Sequence, residues 1–278
     1  MRNSEQQTTE TAPVLPVVPW RSGSVKQPKD FSKAMAKLID ITKCTGCKGC
    51  QVACKNWNQL PAQVEKYNGS YQSHKDTLGL TYTVVKFYEP KTSGDPVWFF
   101  RKHQCMHCGE AICVQRCPHF ALSYTQVGSI IRDYKKCMGC GTCIKVCEYN
   151  IPKRDYTLLK NKPRQCVYCY DRVVNGLTPL CVKTCPSNAL SYGPLKEILD
   201  KAKKRVSEIK GKYPAANVYG GEDLNIGPNN VIYVLPEGAD KYDLPQNPKP
   251  VMNGTGPGPG MMGRETMGPG NMGPGMRR

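Results

Sequence analysis

Phenylalanine and tryptophan are scarce in this chain, with five Phe and three Trp among 278 residues, and only 39% of the residues are hydrophobic. A chain of this length held together by an ordinary apolar core would carry more. Long apolar runs are missing too. The longest, such as 231–235, fall far short of the roughly 20 residues that span a bilayer, so no transmembrane helix is expected. The first 30 residues are polar and Pro-rich, and the stretch 12–20 is broken by Pro13, Pro16 and Pro19. It lacks the continuous apolar segment of a secretory signal. No phosphate loop, dinucleotide fingerprint or Ser–His–Asp arrangement stands in the sequence, which excludes the common forms of substrate chemistry. Acidic residues are also few: 22 Asp and Glu against 39 Lys and Arg, a formal net charge of +17.

Cysteine is what the chain has in quantity, 16 in all. Three uses compete. A secreted disulfide scaffold has no signal to support it. Four zinc sites are possible by number, but zinc usually takes separated C-x2-C pairs. The third use is iron–sulfur ligation, and the spacing favours it. Cys44, Cys47, Cys50 and Cys54 read C-x2-C-x2-C-x3-C, and Cys137, Cys140, Cys143 and Cys147 repeat that spacing. Cys105, Cys108, Cys113 and Cys117 read C-x2-C-x4-C-x3-C, followed by Pro118. Cys166, Cys169, Cys181 and Cys185 read C-x2-C-x11-C-x3-C, followed by Pro186. Such a loop lets three thiolates converge on a four-iron, four-sulfide cube, while the fourth points elsewhere. Four complete quartets leave no cysteine over as a nucleophile. The 16 ligands also supply what the thin apolar core lacks, because metal binding is folding energy.

The excess of Lys and Arg has a matching explanation. An oxidised cubane with four thiolates carries roughly two negative charges, so four would offset about half of the formal excess. Without an aromatic-and-basic module, nucleic acid is not an expected partner. Lys43, Lys48, Arg116, Lys135, Lys136, Arg164, Arg172 and Lys183 lie in or beside the motifs. Of these, Lys48, Arg172 and Lys183 are the candidates for raising cluster potentials, with Lys183→Gln expected to lower the potential of the clusters it adjoins. His74, His103, His107 and His119 are read as surface groups or supports behind the ligands, since thiolates are in full supply.

The chain divides by composition. Residues 1–35 read as a flexible arm, 36–193 hold every cysteine, 194–250 form a cysteine-free extension, and 251–278 form a Gly/Pro/Met-rich tail expected to be disordered. The tail's methionines read as low complexity rather than as a copper(I) site. Short apolar strands are expected at 37–42, 82–88, 97–101 and 130–134. Residues 194–213 read as an amphipathic helix, with apolar positions Leu195, Ile198, Leu199, Ala202, Val206 and Ile209. Residues 231–235 read as a strand.

The segments AKLIDITKCTGCKGCQVACKNWN (36–58), RKHQCMHCGEAICVQRCP (101–118), CMGCGTCIKVC (137–147) and CVYCYDRVVNGLTPLCVKTCP (166–186) resemble the iron–sulfur (beta) subunit of respiratory formate dehydrogenases. That family lies within the four-cluster subunits serving molybdenum or tungsten bis-pterin oxidoreductases. The segments GLTYTVVKFYE (79–89), PLKEILDKAKKRVSEIK (194–210) and NNVIYVLPEGADKYDLPQNPKP (229–250) extend the resemblance, which covers about residues 35–250. Two positions depart from common ferredoxin usage: Lys55 and Glu148 follow a fourth cysteine where Pro is frequent.

The resemblance implies an α+β fold of two ferredoxin-like double-cluster modules with long loops and a helical C-terminal extension. It pairs the outer motifs (44–54 with 166–185) and the inner motifs (105–117 with 137–147). It implies four [4Fe-4S] clusters: Cys44, Cys47, Cys50 and Cys185 at the first; Cys54, Cys166, Cys169 and Cys181 at the second; Cys105, Cys108, Cys113 and Cys147 at the third; Cys117, Cys137, Cys140 and Cys143 at the fourth. The implied function is a non-catalytic wire from a large molybdenum or tungsten catalytic subunit to a cytochrome b or cytochrome c, with the 194–250 extension docking on a partner. The implied location is the periplasmic side of a bacterial membrane, reached with the catalytic subunit, against a cytoplasmic alternative. The competing functions are the same wire for a polysulfide, tetrathionate or dimethyl sulfoxide reductase or a hydrogenase, and a free polyferredoxin.

Overall fold

A computed structural model describes residues 31–67, 69–89, 97–155, 161–221 and 227–248. The 1–30 part of the arm and the 251–278 tail lie outside them. In chain order the elements are β1 (Met35–Asp40), α1 (Gly49–Trp57), β2 (Val84–Tyr88), β3 (Phe99–His103), α2 (Ile112–Gln115), β4 (Leu122–Tyr124), β5 (Ile130–Arg132), α3 (Thr142–Lys145), α4 (Tyr170–Val173), α5 (Leu180–Lys183), β6 (Leu190–Pro194), α6 (Leu195–Ile209), β7 (Asn217–Tyr219) and β8 (Val231–Leu235).

Two strand pairs carry the cluster region, and each joins the strand before one motif to the strand after another. β1, which leads into Cys44, runs antiparallel to β6, which follows Cys185. β5, which leads into Cys137, runs antiparallel to β4, which follows Cys117. The helices agree with the strands, since α1 packs on α5 and α2 on α3. β2 and β3 form a separate antiparallel pair.

The outer pair of strands is widened into a sheet of order β6-β1-β8-β7. β8 runs parallel to β1 and antiparallel to β7. All five residues of β8 are fully buried, which is why it reads as a continuous apolar run rather than an alternation. Its Ile232 and Val234 face α6, alongside Ala36 and Leu38 of β1 and against Ile198, Ala202, Val206 and Ile209 of the helix. Burying Ile198, Val206 and Ile209 contributes roughly 1.5–3 kcal/mol each. Arg205 of the same helix pairs with Asp40 at 2.9 Å.

This arrangement revises two sequence expectations. The apolar face of the 194–213 helix is covered by the chain's own sheet, so it is not a free docking face, and the extension shares one sheet with the cluster region. The helix also ends earlier, at Ile209, where Gly211 and Pro214 interrupt it. The expected strands shift by a few residues. The first stops at Asp40, whose side chain accepts from the Thr42 N–H and turns the chain toward Cys44. The last stops at Arg132, because Asp133 accepts from the Lys135 N–H and starts the turn into Cys137.

Tyrosine takes the place of the missing Phe in the interior. Tyr82, Tyr149, Tyr168, Tyr219, Tyr233 and Tyr242 share the largest core with Cys54, Cys105, Cys166 and Cys181. Buried phenols need acceptors. Tyr168 donates to the Asn230 carbonyl at 2.8 Å, Tyr233 to that of Lys102 at 2.8 Å, and Tyr219 to that of Pro245 at 2.8 Å.

Candidate metal centres

In the first C-x2-C turn of each motif the residue directly before the second cysteine is in the left-handed region: Gly46 (φ 67°), His107 (φ 49°), Gly139 (φ 76°) and Tyr168 (φ 61°), the last followed by Cys169 in the same region (φ 49°). A switch of hand at that point aims successive N–H groups into one concavity, the backbone arrangement that receives anions and iron–sulfur clusters. For His107 and Tyr168 the conformation costs about 1–2 kcal/mol each. They hold each other in it, edge to face with ring centroids 4.6 Å apart. His107 Nδ1 also accepts from the Ile130 N–H at 2.9 Å.

The third cysteine of every motif is the second residue of a helix: Cys50 in α1, Cys113 in α2, Cys143 in α3 and Cys181 in α5. The fourth follows one turn later. The structure brings the thiols together across motifs. One cavity of about 270 Å³ is lined by Cys117, Cys137, Cys140 and Cys143, with Arg132 and His119. Another of about 370 Å³ is lined by Cys44, Cys47, Cys50 and Cys185, with Lys102. Cys54 is an electrostatic neighbour of Cys166, Cys169 and Cys181, and Cys113 of Cys147 and Cys108, while Cys105 faces Cys108 and Cys113. Among the described residues, no three His, Cys, Asp or Glu side chains converge on a single ion. A cubane does not ask for that convergence, because each thiolate binds its own corner.

Burial raises most of these thiols. Cys50 is pushed up to about 12 and Cys169 to about 11, and Cys105 and Cys113 are held well above the ordinary value. They are neutral at pH 7 without metal, so loading must release protons. Cys181 is an exception. Burial raises it too, but Lys102 and then Lys37 outweigh that and hold it below the ordinary thiol value.

Lys102 is 3% exposed and Lys37 2%. Lys102 donates to Gln104 Oε1, and Lys37 donates to the same oxygen at 3.4 Å. Lys37 also lies 4.2 Å above the Tyr168 ring. Two ammonium groups on one oxygen sit within roughly 6 Å of each other, which at an effective dielectric near 20 costs about 3 kcal/mol. Among the described residues no carboxylate pairs with either. Burial works against the Lys102 charge, but Cys181, Cys50, Cys166 and Cys54 as thiolates outweigh it and raise its pKa.

A matching device stands at the other pair. Arg132 donates to Cys137 Sγ at 3.5 Å, to Cys143 Sγ at 3.3 Å and to Gln165 Oε1 at 3.2 Å. Gln104 and Gln165 each precede the first cysteine of a motif, each gives its carbonyl to a cation, and each keeps a buried Nε2 donor with no partner among the described residues. Arg132 Nε is in the same position. Buried cations and spare donors without acceptors are the lining that an anionic cluster satisfies, so these residues fit [4Fe-4S] groups.

Of the residues singled out from sequence for tuning, Lys48 lines the Cys44–Cys47–Cys50–Cys185 cavity beside Lys102, whereas the other two lie elsewhere. Lys183 is exposed, since α5 turns it about 200° from the buried Cys181. Arg172 is buried, but it donates to the Thr178 carbonyl at 2.9 Å and lies 4.6 Å from the Trp57 ring. Lys48 donates to the Tyr71 carbonyl. Sequence proximity pointed to these three and missed Lys37, Lys102 and Arg132. For Lys37 and Arg132 the available signal was a charged residue inside a predicted strand; Lys102 stands one residue past the strand expected at 97–101. Of the histidines, His103 donates Nε2–H to Asp76 at 3.0 Å and takes a bond from Arg101 on Nδ1 at 3.0 Å. Burial, then Arg101, lowers its pKa to about 4, so it supports β3 as a neutral ring. His74 is buried 3.6 Å from Glu65, and His119 is exposed at the rim of the Cys117 cavity.

Paired strands, helix-borne cysteine quartets and cationic linings define a dicluster ferredoxin-type electron carrier. Comparison with known proteins agrees: residues 96–195 match one family described as a 4Fe-4S dicluster domain, and residues 43–121 match another with the same description. Two dicluster domains imply four [4Fe-4S] clusters, for which the 16 cysteines suffice. The chain is 39% identical, over 80% of its length and 76% of the relative's, to the iron–sulfur subunit of the nitrate-inducible formate dehydrogenase of Escherichia coli (strain K12). It is 38% identical, over 80% and 75%, to the formate dehydrogenase-O iron–sulfur subunit of the same organism. It is 35% identical, over 74% of this chain and 95% of the relative, to the formate dehydrogenase 2 subunit beta (cytochrome c-553) of Nitratidesulfovibrio vulgaris. The chain belongs to the family of formate dehydrogenase iron–sulfur subunits. It is a non-catalytic, electron-transferring part of an oxidoreductase complex.

Proposed function

We propose that the chain relays electrons from a formate-oxidising molybdenum or tungsten subunit, one at a time through four clusters, to a cytochrome acceptor. The ligand sets are those implied by the family resemblance: Cys44, Cys47, Cys50 and Cys185; Cys54, Cys166, Cys169 and Cys181; Cys105, Cys108, Cys113 and Cys147; Cys117, Cys137, Cys140 and Cys143. The observation that carries this reading is the linear order of the quartets. Cys50 neighbours Cys181, Cys105 neighbours Cys166, and Cys113 neighbours Cys143. The first quartet therefore adjoins the second, the second the third, and the third the fourth.

Both ends of that order reach solvent. Cys47 of the first quartet and Cys140 of the fourth are exposed. A wire needs two such ends, one for the donor and one for the acceptor. The acceptor is read as a cytochrome b or c. A relative's name joins a formate dehydrogenase beta subunit to cytochrome c-553. No helix among the described residues is long and apolar enough to cross a membrane; attachment to a membrane is read as running through partners, on the periplasmic side. The test is to add formate anaerobically to the complex purified with its native partners and follow the clusters by EPR. Formate should reduce clusters of this chain without dithionite. Reduction by a hydrogen or sulfur-compound couple, but never by formate, would assign the wire to another oxidoreductase.

A further inference from the structure

The cysteine pattern alone would allow the two cluster pairs to be electrically alike. The buried cations make them different. Lys102 lines the Cys44–Cys47–Cys50–Cys185 cavity and acts on Cys50 as well as on Cys54, Cys166 and Cys181. It therefore stands between the first two quartets. Lys37 acts on Cys169 and Cys181, both of the second quartet. Gln104 ties the two ammonium groups to one oxygen. Fixed in the interior with no carboxylate partner among the described residues, they face the sulfur sites as their counter-charge.

We propose that Lys37 and Lys102, clamped by Gln104, are positioning charges that set the reduction potentials of the outer cluster pair, Lys102 acting on both clusters and Lys37 on the second alone. The physical reason is the sign of the charge change. A cluster that accepts one electron becomes more negative by one charge, and a fixed cation nearby stabilises the reduced form and raises the potential. The effect is strong because neither ammonium is screened by water. The inference rests on the proposed ligand sets and goes beyond them, since nothing in the cysteine spacing assigns a lysine to either cluster.

The test is an EPR-monitored redox titration of the intact complex carrying Lys102→Gln, Lys37→Gln or Lys102→Arg, with iron and sulfide counted in each. Lys102→Gln should lower two of the four midpoints, and Lys37→Gln one of those same two. Each shift should correspond to at least a tenfold change in the reduction equilibrium, which is about 59 mV for a one-electron couple. Lys102→Arg keeps the charge and should keep the midpoints. Unmoved midpoints in both Gln variants, or an equal shift in Lys102→Arg, would overturn the proposal and leave the lysines a packing role. If both Gln variants lose iron while Lys102→Arg stays loaded, the charge requirement is supported. If Lys102→Arg loses iron as well, shape is what matters and the proposal fails. Zinc without sulfide in the unaltered protein would sink the cluster reading itself. Four cubanes with immobile midpoints would sink only this inference.

Discussion

The outer and inner modules repeat one plan, but they are held together differently. The outer strand pair β1–β6 is extended by β8 and β7 and covered by α6, and β8 is buried on both faces. The inner pair β4–β5 is a two-stranded ribbon of three residues each. A ribbon of that size is at best marginally stable by itself. Its core is made largely of Ala111, Val114, Ala121, Leu122 and Ile130 with Cys117, Cys137 and Cys143. The outer module thus has a conventional core behind its cysteines, whereas the inner one relies on its metal ligands. Their cations differ in the same way: two lysines bonded to one glutamine oxygen outside, one arginine bonded to two sulfurs inside.

Removing the clusters should separate the modules most. Chelating iron anaerobically and following hydrogen exchange, we expect β4, β5, α2 and α3 to lose protection first while β1, β8 and α6 keep part of theirs. Simultaneous loss everywhere would break the comparison. Ile232→Ala attacks the outer core from its centre and should cost roughly 2–5 kcal/mol, seen as a lower denaturation midpoint in the loaded protein with all four clusters still present. Arg132→Gln addresses the inner pair. It should lower the midpoint of the cluster proposed at Cys117, Cys137, Cys140 and Cys143 by about tenfold in equilibrium, about 59 mV, and leave the outer pair alone.

A smaller effect is expected at Asp76, which braces β3 from outside both modules. Burial raises its carboxyl, but the bond from His103 and the nearby Thr77 N–H and Lys153 outweigh that and hold it well below the usual carboxylate range. A depressed native pKa contributes stability above the unfolded value near 3.9 that is lost as pH falls toward the native one. Asp76→Asn should therefore cost about 1–3 kcal/mol at pH 7 and flatten the acid limb of stability below pH ~4, as a pH series of denaturation curves would show. The smallest effect belongs to Lys183→Gln. Its ammonium is in solvent, so the outer midpoints should fall by less than with either buried lysine. An equal fall would mean that exposed charge tunes this wire as well as buried charge does.

Much of the site was legible because thiolate spacing is a local code. The cysteine quartets and the strand at 231–235 are written within short stretches of neighbouring residues. What was not legible lies far apart in sequence. β8 pairs with β1 across nearly the whole chain, Lys37 opposite Val231, so the extension looked separable and its helix looked free. Lys102 stands three residues before Cys105 yet faces Cys50 and Cys181, while Arg132 reaches forward to Gln165. Each cation is clamped by the glutamine that leads into a motif of the other module. No local reading of charge beside cysteine could find that crossing. It put forward Lys183 instead, on the wrong side of a short helix.

The most direct test is the content of the protein itself: iron and acid-labile sulfide counted per chain, anaerobically, on material isolated with its native partners, with EPR after dithionite. With four cubanes in 16 thiolates, we expect about sixteen of each and coupled S = 1/2 cubane spectra. About four zinc per chain and no sulfide would contradict every quartet, and electron transfer would fall with them.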